Sequence, residues 1–443
     1  MVDRNRKLTF IDLFAGCGGL SLGLENAGFQ PVFVSELNEE ALKSYHINRV
    51  DEFPYLTKPE FHVNDVKELV MDPQKLDTAK SSIFELIKDI NNVDTADVEV
   101  DLLVGGPPCQ GYSGIGHRRF YSVDKVQLHS NHLYQDMAFL INAFQPKMFL
   151  FENVRGLLNS KWTSNGEKGE IWKDVKTTFR DLKDYSVRHT LVHAKEYGVP
   201  QNRPRVLLVG IRKDLVGNLE HKLSNDEEAN AIEEGLLPDP TSHSFKTPHL
   251  EELLSDLIDP NHKNGGKTAS YVCEPQNEIQ KEFRTKKDRT SYYEKGETLT
   301  EQDYSNHKPK VIEKFKSMQK NEGTILPEYQ TKKFSQRMLK QYWGENGPNI
   351  TATSLPDDYV HWAQPRTLTV REWARLQTFP DWYQFEGKRT TGGRRRAGSP
   401  RESIHYREVP KYTQIGNAVP VQLAYILGKH LASILQDSTC EQT

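Results

Sequence analysis

Cys109 is the residue of this chain best placed by its neighbours to act as a nucleophile, and Glu36, Glu152, Arg203 and Arg205 are the charged groups best placed to act with it. It closes the run Leu103-Val-Gly-Gly-Pro-Pro-Cys109. Asp101-Leu-Leu-Val104 reads as a buried parallel strand, Gly105 and Gly106 allow close backbone approach, and Pro107 and Pro108 forbid helix and fix φ. A thiol on so stiff a turn, at the carboxyl edge of a sheet, sits where open α/β folds bind their ligands. A lone cysteine is more often a small buried hydrophobe, so its surroundings decide. Met148-Phe-Leu-Phe151 reads as a later strand that delivers Glu152 at its end. Arg203 and Arg205 flank Pro204 at the start of another strand, where a period of two sends both side chains one way, toward an anion.

These groups need a sheet beneath them, and the chain supplies one. Leu8-Thr-Phe-Ile-Asp-Leu-Phe14 reads as the first strand, Ala15-Gly-Cys-Gly-Gly19 as a glycine turn, and Leu20 to Ala27 as a helix with leucines at helical period. A second strand, Pro31-Val-Phe-Val-Ser35, ends in Glu36, an acid placed to accept hydrogen bonds from ribose hydroxyls. A short third strand ends near Val63, with Asn64 and Asp65 at its edge. Residues 66–98 form a decorated crossover with a helical patch at Ser82 to Ile90. Helices near 132–144 and 171–182 and strands near 186–193 and 205–211 complete a doubly wound, Rossmann-like α/β sheet.

Beyond about residue 213 the pattern dissolves until Gln364. Lys281-Glu-Phe-Arg-Thr-Lys-Lys-Asp-Arg289, with Tyr292 and Tyr293, interleaves base and aromatic as nucleic-acid surfaces do, although a charge run alone is usually a solvated face. Regular structure resumes with an amphipathic helix at Thr369 to Gln377, followed by a basic, flexible loop at Lys388 to Arg396 suited to phosphate and an apolar helix from Val421 to Leu435. The reading is a catalytic domain at 1–213, a second, smaller domain at 214–410 and a segment at 411–443 that returns to the first. Hydrophobic content of 36%, charged content of 27% and a net charge of −3 fit a soluble globular chain whose nucleic-acid surface is a local patch. The four cysteines form no CxxC pair, which argues against a disulfide framework or a zinc site and for a reduced, intracellular protein. The polar N-terminus is no signal peptide, and no run approaches the ~18 apolar residues of a membrane span.

In order and spacing these features resemble the DNA (cytosine-5) methyltransferases. The matching blocks are Phe10-Ile-Asp-Leu-Phe-Ala-Gly-Cys-Gly-Gly19, Gly106-Pro-Pro-Cys-Gln110, Phe151-Glu-Asn-Val154, Gln201-Asn-Arg-Pro-Arg205, Arg371-Glu-Trp-Ala-Arg-Leu-Gln-Thr-Phe-Pro-Asp381 and Gln414-Ile-Gly-Asn-Ala-Val419. The resemblance implies a Rossmann-like S-adenosylmethionine-dependent methyltransferase sheet with a smaller target-recognition domain. It implies that Cys109 adds to C6 of a cytosine, that Glu152 binds N3 and the exocyclic amine, that Arg205 reaches O2, and that Arg203 steadies the thiolate and a nearby phosphate. Donation to N3 requires Glu152 to hold a proton. A cytosine inside a duplex cannot meet the thiol, so the base must be flipped out at a cost of a few kcal/mol.

The implied cofactor is S-adenosylmethionine, released as S-adenosylhomocysteine, with no metal. Phe14 would stack on its adenine, the Ala15, Gly16, Cys17, Gly18 and Gly19 amides would approach the methionine carboxylate, and Glu36 would hold the ribose. Asp65, beside Val66, would accept from the adenine amino group, and Gly105 and Pro107 would line the wall toward Cys109. Asn417, beside Ala418, would close the methionine end. Leu37 stands where many members carry an aromatic residue. Gln110, Ser113, Gln201 and either Thr351 or Thr353 would touch the DNA, with the loop after Cys109 as a lid and the variable region, about 214–350, reading the major groove. The partners implied are double-stranded DNA and a cognate restriction endonuclease acting on the same site, for a monomer in the cytoplasm associated with the nucleoid and not with membrane. Transfer RNA as substrate, or DNA binding without catalysis, are the competing readings. The long variable region speaks against the first and the intact Cys109, Glu152 and Arg205 against the second.

Overall fold

The computed structural model describes residues 6–94, 98–108, 131–163, 165–218, 223–242, 245–330, 336–342, 347–351, 358–391 and 408–437. The chain divides into two compact units, the first formed by 1–197, 204–245 and 423–443 and the second by 198–203 and 246–422. The sequence reading put these breaks at 213/214 and 410/411. The first unit extends further because 223–237 covers the edge of its sheet: Asn230 bridges to His189, and Ala231, Leu236 and Leu237 are buried.

The first unit is built on a seven-stranded sheet. In chain order its elements are β1 (Leu8–Leu13), α1 (Gly19–Ala27), β2 (Phe29–Ser35), α2 (Glu39–Ile47), β3 (His62–Val63), α3 (Lys67–Met71) and α4 (Pro73–Asn91). They continue with β4 (Leu102–Gly105), α5 (Leu133–Phe144), β5 (Met148–Val154), α6 (Glu170–Arg180), β6 (Tyr185–His193) and β7 (Pro204–Arg212). The strand order is β3-β2-β1-β4-β5-β7-β6, parallel except for β7, which runs antiparallel to both neighbours. β1 is buried along its whole length, as a strand covered on both faces must be. Ile11 and Leu13 on one face join a core with Ile83 of α4, Met137 of α5 and Phe179 of α6. Asp12, on the other face, accepts from Ser21 of α1.

Asp12 heads a buried polar chain under the glycine turn. Ser21 Oγ lies 3.1 Å from the Tyr45 hydroxyl, and the Arg49 guanidinium stacks 3.9 Å over the Tyr45 ring. Arg49 pairs with Glu25 at 2.6 Å and donates to the Gly18 carbonyl at 3.0 Å. Burial pushes the Asp12 carboxyl up to about 7, against the opposing Ser21 hydrogen bond and Arg49 charge.

The second unit holds α7 (Leu250–Leu254), α8 (Glu278–Arg284), α9 (Pro309–Lys320), the two-residue strands β8 (Arg337–Met338) and β9 (Tyr359–Val360), α10 (Val370–Leu376) and a helix at Lys411–Asn417. Buried charge organises much of it. Arg375 donates to Asp256 at 2.6 and 3.0 Å and to Asp381 at 2.9 and 2.6 Å, and Arg284 meets Asp256 at 2.8 Å. Arg366 holds Glu372 at 2.6 and 2.8 Å, and a capping box between Thr369 and Glu372 starts α10. The expected amphipathic helix is therefore buried all round, because its charged face is neutralised internally and not by solvent. In the basic stretch at 281–289 only Arg284 is buried. Arg284 is buried on the Tyr271 ring, while Lys281, Lys286 and Lys287 lie over Tyr292, Tyr293 and Trp382. In the expected phosphate loop Lys388 pairs with Glu408 and Arg389 donates to the Asp303 carbonyl; residues 392–407 lie outside the described ones.

The segment Lys411–Gln436 meets the length and mean hydropathy, 1.3, of a membrane span by composition alone. Two thirds of that window, 67%, is buried within the protein, and a break at Ala418 to Pro420 separates its two helices. From Leu423 on it belongs to the first unit, where an added Cβ at Gly428 would lie 2.8 Å from Ala27 of α1.

Removing Arg375 leaves two buried carboxylates short of a partner, so Arg375→Met should lower stability by about 3–5 kcal/mol in urea unfolding; a loss below about 1 kcal/mol would contradict the buried cluster. For Asp12 the folded chain keeps a proton that the unfolded chain releases near pH 4, so its contribution falls as pH rises from about 4 to about 7. Asp12→Asn should flatten the fall in unfolding free energy across that window by up to about 1.4 kcal/mol per pH unit; an unchanged slope would refute the assignment.

Candidate active site

The pairing register builds the site. Leu13 pairs with Ser35 on one side and Gly105 on the other, and Gly105 pairs with Phe151. The next residues along these four strands are Glu36, Phe14, Gly106 and Glu152, which therefore form a row across the carboxyl edge of β2, β1, β4 and β5. At ~4.8 Å per strand, Glu36 and Glu152 stand roughly 14 Å apart, with Phe14 and Gly106 between them.

At the Glu36 end, each carboxylate oxygen accepts a backbone N–H at 2.8 Å, from Gly16 and from Asn38. The carboxyl is fixed in direction, and burial raises its pKa against those two hydrogen bonds. Phe14 holds φ at 64°, a left-handed conformation that costs a non-glycine residue of order 1 kcal/mol and that clusters at functional sites. Gly16 and Gly18 take φ of 58° and 86° in the same turn, and Ala15 N donates to the Ser35 carbonyl at 3.0 Å. The turn leads into α1, whose first turn has no side-chain cap, which leaves its amides for an anion. Cys17 is fully buried and its thiol is pushed up to about 12, so only its backbone can serve the site. Leu37 is 69% exposed. Asp65 Oδ1 accepts from the Lys67 amide at 3.0 Å, and Val66 is buried in the core.

At the other end, Glu152 forms an ion pair with Arg205, whose Nε contacts its Oε1. Both are nearly buried, at 8% and 6% exposure. They sit diagonally across the β5–β7 pairing, since Glu152 faces Leu207 and Val154 faces Arg205. Glu152 is thus inside its strand and not at its end as read from the sequence: β7 extends the pairing beyond the point where β4 stops. A Cβ on Gly106 would lie 3.0 Å from Glu152 Oε2, so any other residue here would push this carboxylate by a few tenths of an ångström. At Gly105 the same atom would meet Met137 Sδ at 2.9 Å and the Leu13 carbonyl at 3.2 Å. Asn153 donates its side-chain amide to the Pro107 carbonyl at 3.1 Å and accepts from the Val154 amide at 2.9 Å. It locks the Pro107-Pro108 turn onto β5. Sequence reasoning missed Asn153, although Glu-Asn-Val was in view. Cys109, Gln110 and Ser113 lie outside the described residues.

Arg203 differs from the expectation. It precedes β7, so the period of two does not apply to it, and it is buried within the second unit. Its guanidinium donates to the carbonyls of Ile350, Gly416, Asn417 and Ala418, the last three at 2.8, 3.3 and 3.0 Å. Gln201, also fully buried, donates to Leu376 O and Gln377 Oε1 and accepts from the Ile350 amide. Both therefore hold backbone: Thr351 follows Ile350, and Asn417, exposed, precedes the buried Ala418. Thr353 lies outside the described residues. Among the described residues no group of three or more His, Cys, Asp or Glu side chains is placed to hold a metal.

Comparison with known proteins gives the family of the chain. The model of the C-5 cytosine-specific DNA methylase family matches residues 8–433. The type II methyltransferase M.DdeI of Desulfomicrobium norvegicum is 28% identical over 96% of this chain and 88% of its own length. M.Eco47II of Escherichia coli is also 28% identical, over 97% and 80%. Among solved structures, a chain described as a DNA modification methyltransferase encoded within an E. coli prophage superposes with a TM-score of 0.62 at 23% identity, covering 97% of this chain and 99% of its own, and shares the fold. With a family model spanning nearly its whole length over this row of edge residues, the chain belongs to the C-5 cytosine-specific DNA methylases and is a DNA cytosine methyltransferase.

Proposed function

We propose that this enzyme flips a cytosine out of duplex DNA and methylates its C5, with Cys109 as nucleophile and with Glu152 and Arg205 holding the base. The Glu152–Arg205 pair carries this reading, seated on Gly106 at the root of the turn that leads to Cys109. A carboxyl faces N3 and the exocyclic amine of a cytosine, and a guanidinium faces O2, so one ion pair covers the whole Watson–Crick edge. Attack of the Cys109 thiolate forms an S–C6 bond, and the C5–C6 π electrons become available at C5, with negative charge shared toward N3 and O2. Arg205 offsets that charge at O2, and Glu152, when it holds a proton, offsets it by donating to N3. After transfer, loss of the C5 proton to a base re-forms the C5–C6 bond order and expels the thiolate.

Methyltransferases of this family use S-adenosylmethionine, whose sulfonium supplies an electrophilic methyl group. The residues present fit it. Glu36 offers a fixed carboxylate for two hydroxyls, Phe14 with its φ of 64° stands next to it in the row, and the first turn of α1, which no side chain caps, offers amides for a carboxylate. Leu37, Asp65, Val66, Gly105 and Pro107 complete the proposed wall. Arg203 and Gln201 are reassigned as positioning residues: their polar atoms hold the segment before Thr351 and the turn at Asn417. In a cell the enzyme would act on nucleoid DNA in the cytoplasm, paired with a restriction endonuclease of the same specificity.

Incubation with methyl-labelled S-adenosylmethionine should put label into plasmid DNA and none into transfer RNA; label in neither would overturn the reading. Duplex carrying 5-fluorocytosine, which has no C5 proton to lose, should trap a covalent adduct that Cys109→Ser abolishes. An adduct that survives Cys109→Ser would refute the nucleophile. Glu152→Gln should lower kcat by about 10²-fold or more, and a loss under about threefold would remove Glu152 from the mechanism.

A further inference from the structure

We infer that Arg49 is a positioning residue for the cofactor: from beneath the glycine turn it fixes the direction of the Gly19 amide, one of the donors to the carboxylate of the methionine moiety. This rests on the reading of that turn as the cofactor's anion site given above. Arg49 lies just past α2, inside the first unit, and is buried. Its three nitrogens go three ways. Nε pairs with Glu25 of α1 at 2.6 Å, Nη1 donates to the Tyr45 carbonyl at 3.1 Å and Nη2 donates to the Gly18 carbonyl at 3.0 Å. A buried ion pair is by itself weak support for a fold, since apolar residues of similar volume often serve as well. The bond to Gly18 is what an apolar pair could not supply.

The peptide between Gly18 and Gly19 is the one in this turn that side chains restrain least. Gly18 holds φ at 86° and neither residue has a Cβ, so the plane turns at little steric cost. In a trans peptide the carbonyl and the N–H that follows it point in opposite directions, so whatever holds the Gly18 oxygen also aims the Gly19 hydrogen. The Leu22 amide donates to that oxygen at 3.0 Å, as the first bond of α1. One such bond leaves the plane able to swing about it. The second, from Arg49, takes the other lone pair and fixes the plane, with the Gly19 N–H directed out of the start of α1, which no side chain caps. A cation on the carbonyl also polarises the peptide and makes its N–H a stronger donor to an anion. The turn is therefore set before the ligand arrives, which removes the cost of ordering it from binding.

The test measures, by calorimetry on the full chain, the dissociation constants of S-adenosylhomocysteine and of methylthioadenosine, which keeps the nucleoside and the sulfur but has no amino-acid carboxylate. The parent should prefer S-adenosylhomocysteine. Arg49→Met should weaken S-adenosylhomocysteine about tenfold and methylthioadenosine by less than about twofold, because only the first ligand uses the Gly19 amide. The double variant Glu25→Met with Arg49→Met removes both charges, so no carboxylate is left buried without its partner, and it should show the same split; this keeps the test decisive if Arg49→Met alone does not fold. Arg188→Met is the control: Arg188 is a buried arginine of the same unit that donates to the Val187 and Ser224 carbonyls, away from the turn. It should lower Tm and leave both constants at the parental values. Equal weakening of the two ligands by the Arg49 variants, or weakening of neither, would make Arg49 merely structural and overturns the inference. So does a parent that binds the two ligands equally. A parent that binds neither would overturn the cofactor reading itself.

Discussion

The parallel register of four adjacent strands is the constraint on which the first unit's chemistry depends. Because Ser35, Leu13, Gly105 and Phe151 are paired across β2, β1, β4 and β5, the residue that follows each is delivered to one edge at one height. A slip of one residue at any pairing would turn a functional side chain to the opposite face of the sheet. The long buried strands make such a slip costly, since it would also expose the apolar set that packs against the helices. Precision at the edge is thus inherited from burial beneath it.

The antiparallel β7 adds what a wholly parallel sheet could not. It reaches β5 from the opposite direction, so the start of one strand lies beside the end of the other and Arg205 arrives next to Glu152. Two charges so nearly buried are costly to desolvate unless paired. Their mutual contact keeps both poised at an edge where a polar base edge could replace it. The second unit solves a different problem with the same physics. Its regular elements are short, and paired charges inside it, Arg375 with Asp256 and Asp381 and Arg366 with Glu372, fix how they pack.

The features legible in the sequence were the local ones. Gly105 to Pro108, the Ala15 to Gly19 turn and Glu36 announce themselves because glycine, proline and an acid at a strand tip have meanings that need no distant partner. What was misread depends on partners far along the chain. Arg284 looked like surface charge until Asp256 and Tyr271 closed over it. Arg203 looked like a twin of Arg205, yet one residue of strand separates a side chain facing Glu152 from one that holds carbonyls near residues 350 and 418. The role of Asn153 was hidden because its partner is a backbone carbonyl at Pro107, and composition carries no mark of a carbonyl's needs. The extent of the first unit to residue 245 was hidden too, since edge-covering segments such as 223–237 have no periodicity to read.

The central claim is that the Glu152 end of this edge row holds a cytosine of duplex DNA during methylation at C5. Bisulfite sequencing of genomic DNA from a host without cytosine methylation that expresses the chain tests it most directly. The account predicts protected cytosines confined to one short sequence context, and their disappearance when the expressed chain carries Glu152→Ala. Absence of protected cytosines with the parent chain, or protection that persists undiminished with Glu152→Ala, would contradict it.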